Sequence, residues 1–284
     1  MMAGVEIQLA KERLYRLEDR LTADDAEQRA QERRVQAFGG GLGSLLQRPK
    51  VDDITLVARQ HRLEPLWHVA ARATYEYERR REYTVPGSAP EVTAVTIEGT
   101  RYELDQAAGS LRAFRMSTLE HCRDEFRHEV FTDGLTGASV ADGASVVSGP
   151  RDEISDPQTM AVDGTIVVPP EQRASYVVRK ALGEVMKPVQ ADRILEESIA
   201  LETTDLVYRP IWAFEFLWQG RDRRGVIEID AVTGQMRPGK AMLGQIKGML
   251  NRDVLFDVGA DTLGLIIPGG SIAVRLAQAA IDKK

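Results

Sequence analysis

Two stretches of the chain match each other at a fixed offset of 145 residues, and this match constrains the fold more than any other feature of the sequence. A proline limits how a strand can pair, and a tryptophan two residues later buries a large apolar area beside it. The match therefore predicts equivalent strands in two related sheets. The matching positions are Ile54, Leu56, Pro65 and Trp67 in the first repeat and Ile199, Leu201, Pro210 and Trp212 in the second.

An alternation of period two follows each proline. Apolar side chains occupy every second position from Trp67 to Tyr77 in the first repeat, and aromatic side chains do so from Trp212 to Trp218 in the second. Such alternation is typical of a half-buried strand. Basic residues then predict a turn in each repeat, and the apolar residues that follow predict a return strand. Each repeat is therefore expected to form antiparallel hairpins.

The arginine-rich turns are candidate anion sites. If the two repeats pack with approximate symmetry, the turns lie side by side, and guanidinium groups bind phosphate in a bidentate manner. The alternative is that charged hairpin tips keep the protein soluble and deter edge-to-edge aggregation. The candidate residues are Arg79, Arg80, Arg81, Arg221, Arg223 and Arg224.

The first 37 residues are rich in charge and predict an N-terminal helix. Leu14, Leu17 and Leu21 follow the spacing of a short coiled coil, which makes them candidates for self-association. A solvated helix docked on its own domain explains the same pattern. The sequence leaves both interpretations open.

A second helix is predicted over residues 117–130, because Ser117 and Glu120 have the spacing of a capping box. On that helix His121, Glu125 and His128 share one face, and imidazole and carboxylate ligands suit zinc or another divalent metal. A polar, solvated face predicts the same residues. We therefore expect no cofactor, with metal-dependent hydrolysis as a minor alternative.

The composition divides the chain into five parts. The N-terminal helix (1–37) precedes a first sheet module (48–132), a flexible linker rich in small residues (133–162), a second sheet module (163–240) and an apolar tail of short helices (241–284). The expected fold class is α+β, with two related antiparallel-sheet modules and packed helices.

Charge and cysteine content narrow the function. The net charge of −6 gives no reason to expect nucleic-acid binding. One cysteine, Cys122, cannot form an intramolecular disulfide, and no signal-like apolar stretch follows Met1, so we expect a cytoplasmic protein. Within residues 254–281, the uncharged stretch from Thr262 to Val274 is too short to span a bilayer. We expect the segment 254–281 to be buried or to form a subunit interface, with peripheral membrane contact as the alternative.

The segment from Asp230 to Gly234, within residues 205–237, resembles the closing hairpin of PepSY-like domains, which commonly carry an Asp-Ala-x-Thr-Gly turn. This resemblance implies a non-catalytic α+β module. PepSY-like domains are often extracytoplasmic and associated with peptidases or membrane sensors, and the missing export signal puts an inhibitor role in doubt. Residues 48–86 are also similar to conserved hypothetical proteins of bacteria and archaea, which implies no function.

No catalytic motif is present, so the sequence favours a protein that is not an enzyme. We expect a scaffold or protein-interaction protein that self-associates or docks another protein. The alternative is a module that uses the arginine-rich turns to bind anions, phosphate or acidic lipid.

Overall fold

The structure, a computed structural model, describes residues 5–39, 49–105, 112–239, 242, 252–256 and 276–278. Within them the chain has an α+β fold, which confirms the predicted class. One large mixed sheet contains ten strands, a separate hairpin contains two, and helices cover parts of both faces of the large sheet.

Three strands of the large sheet are unusually long. They are β3 (Ile54–Pro86), β6 (Ala113–Asp133) and β9 (Arg193–Trp218). Strands in globular proteins commonly have about 3–10 residues, whereas β3 has 33 and would extend over about 110 Å if straight. The shorter strands are β1 (Val5–Leu9), β2 (Glu12–Leu17), β7 (Arg151–Glu153), β8 (Ile166–Val167), β10 (Arg223–Asp230), β11 (Met236–Gly239) and β12 (Leu276–Gln278).

Strand β3 lies between β6 and β9 and is antiparallel to both. The other side of β9 pairs in turn with β1, β2 and β10, and β7, β11 and β12 extend the sheet beyond these. The separate hairpin consists of β4 (Ala94–Ile97) and β5 (Thr100–Glu103), joined at Glu98 and Gly99, whose φ angles are both positive.

The four α-helices of the described residues are short. They are α1 (Ala23–Glu32), α2 (Gly143–Val147), α3 (Ala174–Val185) and the single turn α4 (Arg252–Leu255). The start of α1 is capped by the hydroxyl of Thr22, which accepts a hydrogen bond from the backbone N–H of Asp25 at 3.2 Å. None of these helices is long and apolar enough to cross a membrane.

Successive side chains of a strand point to opposite faces of the sheet, and different helices pack on the two faces of the large sheet. On the face that we call the front, α3 packs on Trp67 and the alternate side chains that follow it, and α1 packs on Phe214 and Phe216. The opposite face, the back, carries a smaller apolar cluster around Leu66 and Val207, against which α2 packs. Every second residue from Trp67 to Tyr77 is buried, which confirms the predicted alternation.

The structure does not show two separate modules, because the matched segments are neighbouring strands of one sheet. In the register of β3 and β9, Pro65 lies opposite Tyr208 and Leu63 lies opposite Pro210. The paired residues Glu64 and Arg209, which are also 145 positions apart, lie at the centre of this ladder. Two of the three irregularities in the pairing are also 145 positions apart, one between Leu56 and Ala58 in β3 and one between Leu201 and Thr203 in β9. The third, between Glu76 and Tyr77 of β3, has no such counterpart. Within this ladder, matched positions are related by an approximate two-fold axis.

The predicted N-terminal helix is wrong over most of its length. Residues 5–17 form β1 and β2, which pair in parallel with β9, and only residues 23–32 are α-helical. The predicted flexible linker at 133–162 is also ordered. It contains α2 and β7, and Val146 and Met160 are almost completely buried.

Two further corrections concern β3 and β6. The predicted helix over 117–130 is the middle of strand β6, and the predicted turn at Arg79–Arg81 is an uninterrupted part of β3. The pairing between the two strands is regular from Leu66–Asp133 to Pro86–Ala113, so each strand holds the other extended.

The predictions for the second repeat agree better with the structure. Strands β9 and β10 form the expected hairpin. The Asp230 carboxylate accepts hydrogen bonds from the N–H groups of Val232 and Thr233, and Gly234 has a φ of 72°. Most of the predicted helical tail at 241–284 lies outside the described residues. Within its described part, Arg252–Leu255 form α4, whereas Leu276–Gln278 form the strand β12, which pairs with β1.

Candidate functional site

The structure separates the two groups of arginines, contrary to the prediction that they lie side by side. Glu78 pairs with Arg193 at the start of β9, whereas Arg223 pairs with Trp218 at its end. Since β9 has 26 residues, its two ends would lie about 80 Å apart if it were straight. The six arginines therefore do not form one anion site.

Several of these arginines have partners within the chain. Arg79 Nε lies 2.5 Å from Glu120, and Arg81 donates to the Gln190 side chain at 3.2 Å. At the other end, Arg224 donates to Glu215 at 2.7 Å, and the Arg221 guanidinium lies 5.1 Å from the Trp218 ring centroid. Arg80 donates its backbone N–H to Asp192 at 2.5 Å, and Arg223 lies over the Phe38 ring. These contacts join neighbouring segments of the fold.

The candidate metal ligands are not clustered. Because β6 is a strand, His121 and Glu125 project from its back face and His128 projects from the front. Among the described residues, no group of three or more His, Cys, Asp or Glu side chains is placed to hold a metal ion. The helical spacing on which the metal hypothesis depended does not exist in this fold.

The leucines predicted to mediate self-association belong to the chain's own core. Leu14 and Leu17 on β2 are completely buried, on the front and back faces respectively, and Leu21 is partly buried against the cluster around α1. A coiled-coil seam at these residues would require the N-terminal strands to leave the sheet. The helical seam on which that prediction depended does not exist in the described fold.

A ring of four alternating charges lies on the back face and extends across β9, from β3 on one side to β10 and β11 on the other. Arg62 contacts both Glu64 and Glu228, and Arg237 contacts the same two carboxylates from the other side. Arg62 and the two glutamates are buried, whereas the Arg237 side chain is 41% exposed. Burial disfavours the charge of Arg237, but the two carboxylates outweigh that effect and raise its pKa.

His68 forms a second charged group on the same face. Its Nε2 lies 2.7 Å from Glu129, and its Nδ1 lies 3.8 Å from Asp205, too far for a hydrogen bond, so Asp205 acts mainly through its charge. The ring stacks on Phe131 with centroids 4.7 Å apart. Burial opposes protonation, but the two carboxylates outweigh it and raise the pKa of His68.

We expect this histidine to make folding pH-dependent. Because its folded-state pKa is raised, its charged interactions stabilise the protein below the unfolded pKa of about 6.5 and are lost as pH rises through the folded pKa. The difference in free energy of unfolding between wild type and His68→Gln should therefore shrink from pH 5.5 to pH 8.5 in urea titrations. His121→Gln, at a side chain 70% exposed, is the control. An unchanged difference for His68→Gln would contradict the assignment.

His61 connects three separate segments of the chain. Its Nε2 lies 2.9 Å from Asp19, its Nδ1 lies 2.9 Å from the Thr165 hydroxyl, and its ring lies 4.4 Å from that of Trp212. The imidazole borders a cleft of about 470 Å³. Since both ring nitrogens have partners, we interpret His61 as a structural link between the β2–α1 loop, β3 and β8.

A larger cleft of about 590 Å³ lies between the β1–β2 corner and β9. It is lined by charges of both signs, including Arg13, Arg72 and Glu202. Arg72 Nε lies 2.9 Å from Glu202, so part of this charge is already paired within the chain. The lining gives the cleft no clear preference for an anionic or a cationic ligand.

The most extensive unpaired surface of the described fold is the outer edge of β6. Backbone groups of Gly134 and Arg112 bond toward β3, whereas those of Ala113 and Phe131 bond away from it. Because neighbouring residues of a strand direct their backbone groups to opposite sides, even-numbered residues of β6 bond to β3 and odd-numbered residues face outward. Both ends of this edge are covered, by Asp105 at Ala113 and by Val140 at Phe131.

Between those ends, the described part of the chain places no strand beside β6. We call the odd-numbered positions between them the outward residues. Their side chains are all exposed on the back face. They are Arg115, Ser117, Leu119, His121, Arg123, Glu125, Arg127 and Glu129.

Sequence reasoning missed this edge because it assigned the segment to a helix, in which these backbone groups would bond internally. The available signal was a charged residue at every second position from Arg123 to Glu129, with Cys122, Phe126 and Val130 in the other set of positions. Comparison with known proteins adds no assignment, since no family model, curated protein or solved structure matches the chain.

Proposed function

We propose that this protein is a non-enzymatic interaction protein that accepts an extended strand at the outer edge of β6, from another molecule of the same chain or from another protein. The observation that supports this proposal is the run of outward residues, whose backbone N–H and C=O groups have no strand partner in the described fold. An edge of this kind is a template for main-chain pairing.

The position of the edge supports the same proposal. Strand β6 is held along its whole length by β3, and β3 is held by β9 as far as Glu78. The template is therefore preorganised, and a partner strand has to order only itself. The charged side chains exclude most apolar strands, which leaves selectivity to charge complementarity.

A proline at an outward position tests the proposal. Glu125→Pro removes one outward N–H but no bond to β3, and edge strands tolerate proline better than central strands do. We expect the variant to remain folded and to weaken strand binding about ten-fold or more. The measurement is hydrogen exchange at the outward amides, at low and high protein concentration and with an added peptide that copies residues 119–131.

Glu125→Ala is the matched control for that variant, because it removes the same charge and keeps the N–H. Slow exchange of the outward amides in Glu125→Ala but not in Glu125→Pro would support strand pairing. Equally fast exchange in both, with and without concentrated protein or peptide, would contradict it.

The sequence also suggested an anion site and peripheral contact with a membrane. The separation of the arginines removes the basis for a combined anion site. Peripheral membrane contact through residues 254–281 stays a prediction. Within that segment Leu255 and Phe256 are buried, and Phe256 packs edge-on against Trp67. The resemblance to PepSY-like modules agrees with a non-catalytic role.

A further inference from the structure

The outward residues of β6 carry a charge pattern that is complementary to itself. Arg123, Glu125, Arg127 and Glu129 alternate in sign along the exposed back face. When such a run pairs with an antiparallel copy of itself, each arginine can lie opposite a glutamate. Within the chain Arg127 lies 2.6 Å from Glu125, Arg123 lies 3.5 Å from Glu76 and Glu129 lies 2.7 Å from His68, so pairing would give each of these exposed charges a second partner.

We propose that two molecules pair through β6 in antiparallel register about a two-fold axis at Phe126, so that the two sheets become continuous. This inference rests on the proposed function and names the partner strand. In this register Glu125 lies opposite Arg127 of the second molecule, and Arg123 lies opposite Glu129. The axis repeats both pairs, which gives a checkerboard of eight charges with opposite signs across the interface.

The backbone supports the same register. Residues 123, 125, 127 and 129 are all outward, so every charged pair is also a hydrogen-bonded pair that exchanges two N–H···O bonds. The interface therefore gains about eight main-chain hydrogen bonds. The ladder has to end before Phe131, whose carbonyl already accepts a hydrogen bond from Val140 at 2.9 Å, so residues 113–121 of the second molecule must turn away from the sheet there.

The front-face residues of β6 are complementary in this register too. Phe126 meets its own copy on the axis, Asp124 lies opposite His128, and Cys122 lies opposite Val130. The side chains of Phe126, Cys122 and Val130 already pack against the large core under α3. Pairing would therefore extend an apolar strip that both molecules have in place.

Other registers that keep outward residues opposite each other are less favourable. An axis at Glu125 places Arg123 opposite Arg127. An axis at Asp124 keeps the pairs between Arg123 and Glu125 but places His121 opposite Arg127. An axis at Cys122 places His121 opposite Arg123 and Glu120 opposite Asp124. The axis at Phe126 makes all four charges complementary.

A cross-link tests this register directly. The axis residue belongs to a non-hydrogen-bonded pair, whose Cα atoms are about 4.5 Å apart, a separation that a disulfide can span. We expect Phe126→Cys in a Cys122→Ser background to form a covalent dimer under mild oxidation. The wild type is the internal control, because the two Cys122 residues would be eight positions apart along the strands, about 27 Å, and should stay unlinked.

Charge reversal tests the same pairs without altering Phe126. By sedimentation velocity, Glu125→Arg and Arg127→Glu should each weaken dimerisation about ten-fold or more, and the double variant should restore it. Arg115→Glu is the matched control, since Arg115 is an outward residue beyond the ladder and its reversal should leave dimerisation unchanged. Circular dichroism of each variant excludes unfolding as the cause.

The possible outcomes separate this inference from the function on which it rests. A dimer that Glu125→Pro abolishes, but that neither cross-links at position 126 nor recovers in the double variant, overturns the register and leaves strand pairing at the edge intact. A dimer insensitive to Glu125→Pro overturns self-pairing through β6. A mass of one chain at every concentration overturns self-pairing, and binding of the peptide that copies residues 119–131 then decides the proposed function.

Discussion

Replacing Arg62 by methionine is expected to lower the free energy of unfolding by about 3–5 kcal/mol. Arg62 is 3% exposed and contacts both Glu64 and Glu228, which are themselves buried. Without the guanidinium, these carboxylates retain only Arg237, on the side of the ring that is open to solvent. Two negative charges would then face each other in a poorly solvated environment. Urea denaturation at neutral pH measures the loss.

Arg72→Met provides a matched control on the same strand and face. Arg72 lies 2.9 Å from Glu202, but both side chains are about one-third exposed, so the loss should be below about 1 kcal/mol. A loss of less than 1 kcal/mol for Arg62→Met as well would show that the ring stabilises the fold no more than an ordinary surface ion pair.

Replacing Trp67 by alanine is expected to lower the free energy of unfolding by about 3–5 kcal/mol. The side chain is completely buried, its Nε1 donates to the carbonyl of Gln172 at 2.8 Å, and its ring contacts Phe256. Alanine would leave a cavity between β3 and α3 and a carbonyl without this donor. The change in midpoint of chemical denaturation measures the effect.

The matched residue Trp212 is the natural comparison, because it occupies the equivalent position 145 residues later. It is only partly buried and packs on His61. We expect Trp212→Ala to cost about 1–2 kcal/mol. Equal losses at the two positions would mean that the approximate symmetry of the β3–β9 ladder extends to side-chain packing, which the different surroundings of the two rings argue against.

The sequence predicted strands correctly where apolar and polar side chains alternate. The prediction failed where the spacing of apolar residues fits a helix and a strand equally well. From Trp67 to Tyr77 one face is apolar and the other polar, which only a strand produces. In the segment predicted as a helix, Cys122, Phe126 and Val130 are spaced by four residues. That spacing places side chains on one face of a helix and equally on one face of a strand. The regular pairing with β3 decides between them, and a single sequence does not reveal that partner.

Other errors have similar physical causes. Leu14 and Leu17 lie on opposite faces of β2 and are both buried, so this strand shows no alternation, and their spacing of three suggested a helix. The arginines at 79–81 suggested a turn, but Arg79 is paired with Glu120 on the adjacent strand and β3 continues. The offset of 145 located β3 and β9 correctly, yet it contained no information that the matched strands pair with each other.

The order of the strands along the chain has a consequence for synthesis. Strand β3 ends at residue 86, and β6 can pair with it once residue 133 has been made, but its other neighbour, β9, ends only at residue 218. For more than a hundred residues of elongation, one side of a very long strand therefore has no permanent partner. Such non-local pairing slows folding and exposes strand edges. We expect the nascent chain to depend on chaperones during this interval.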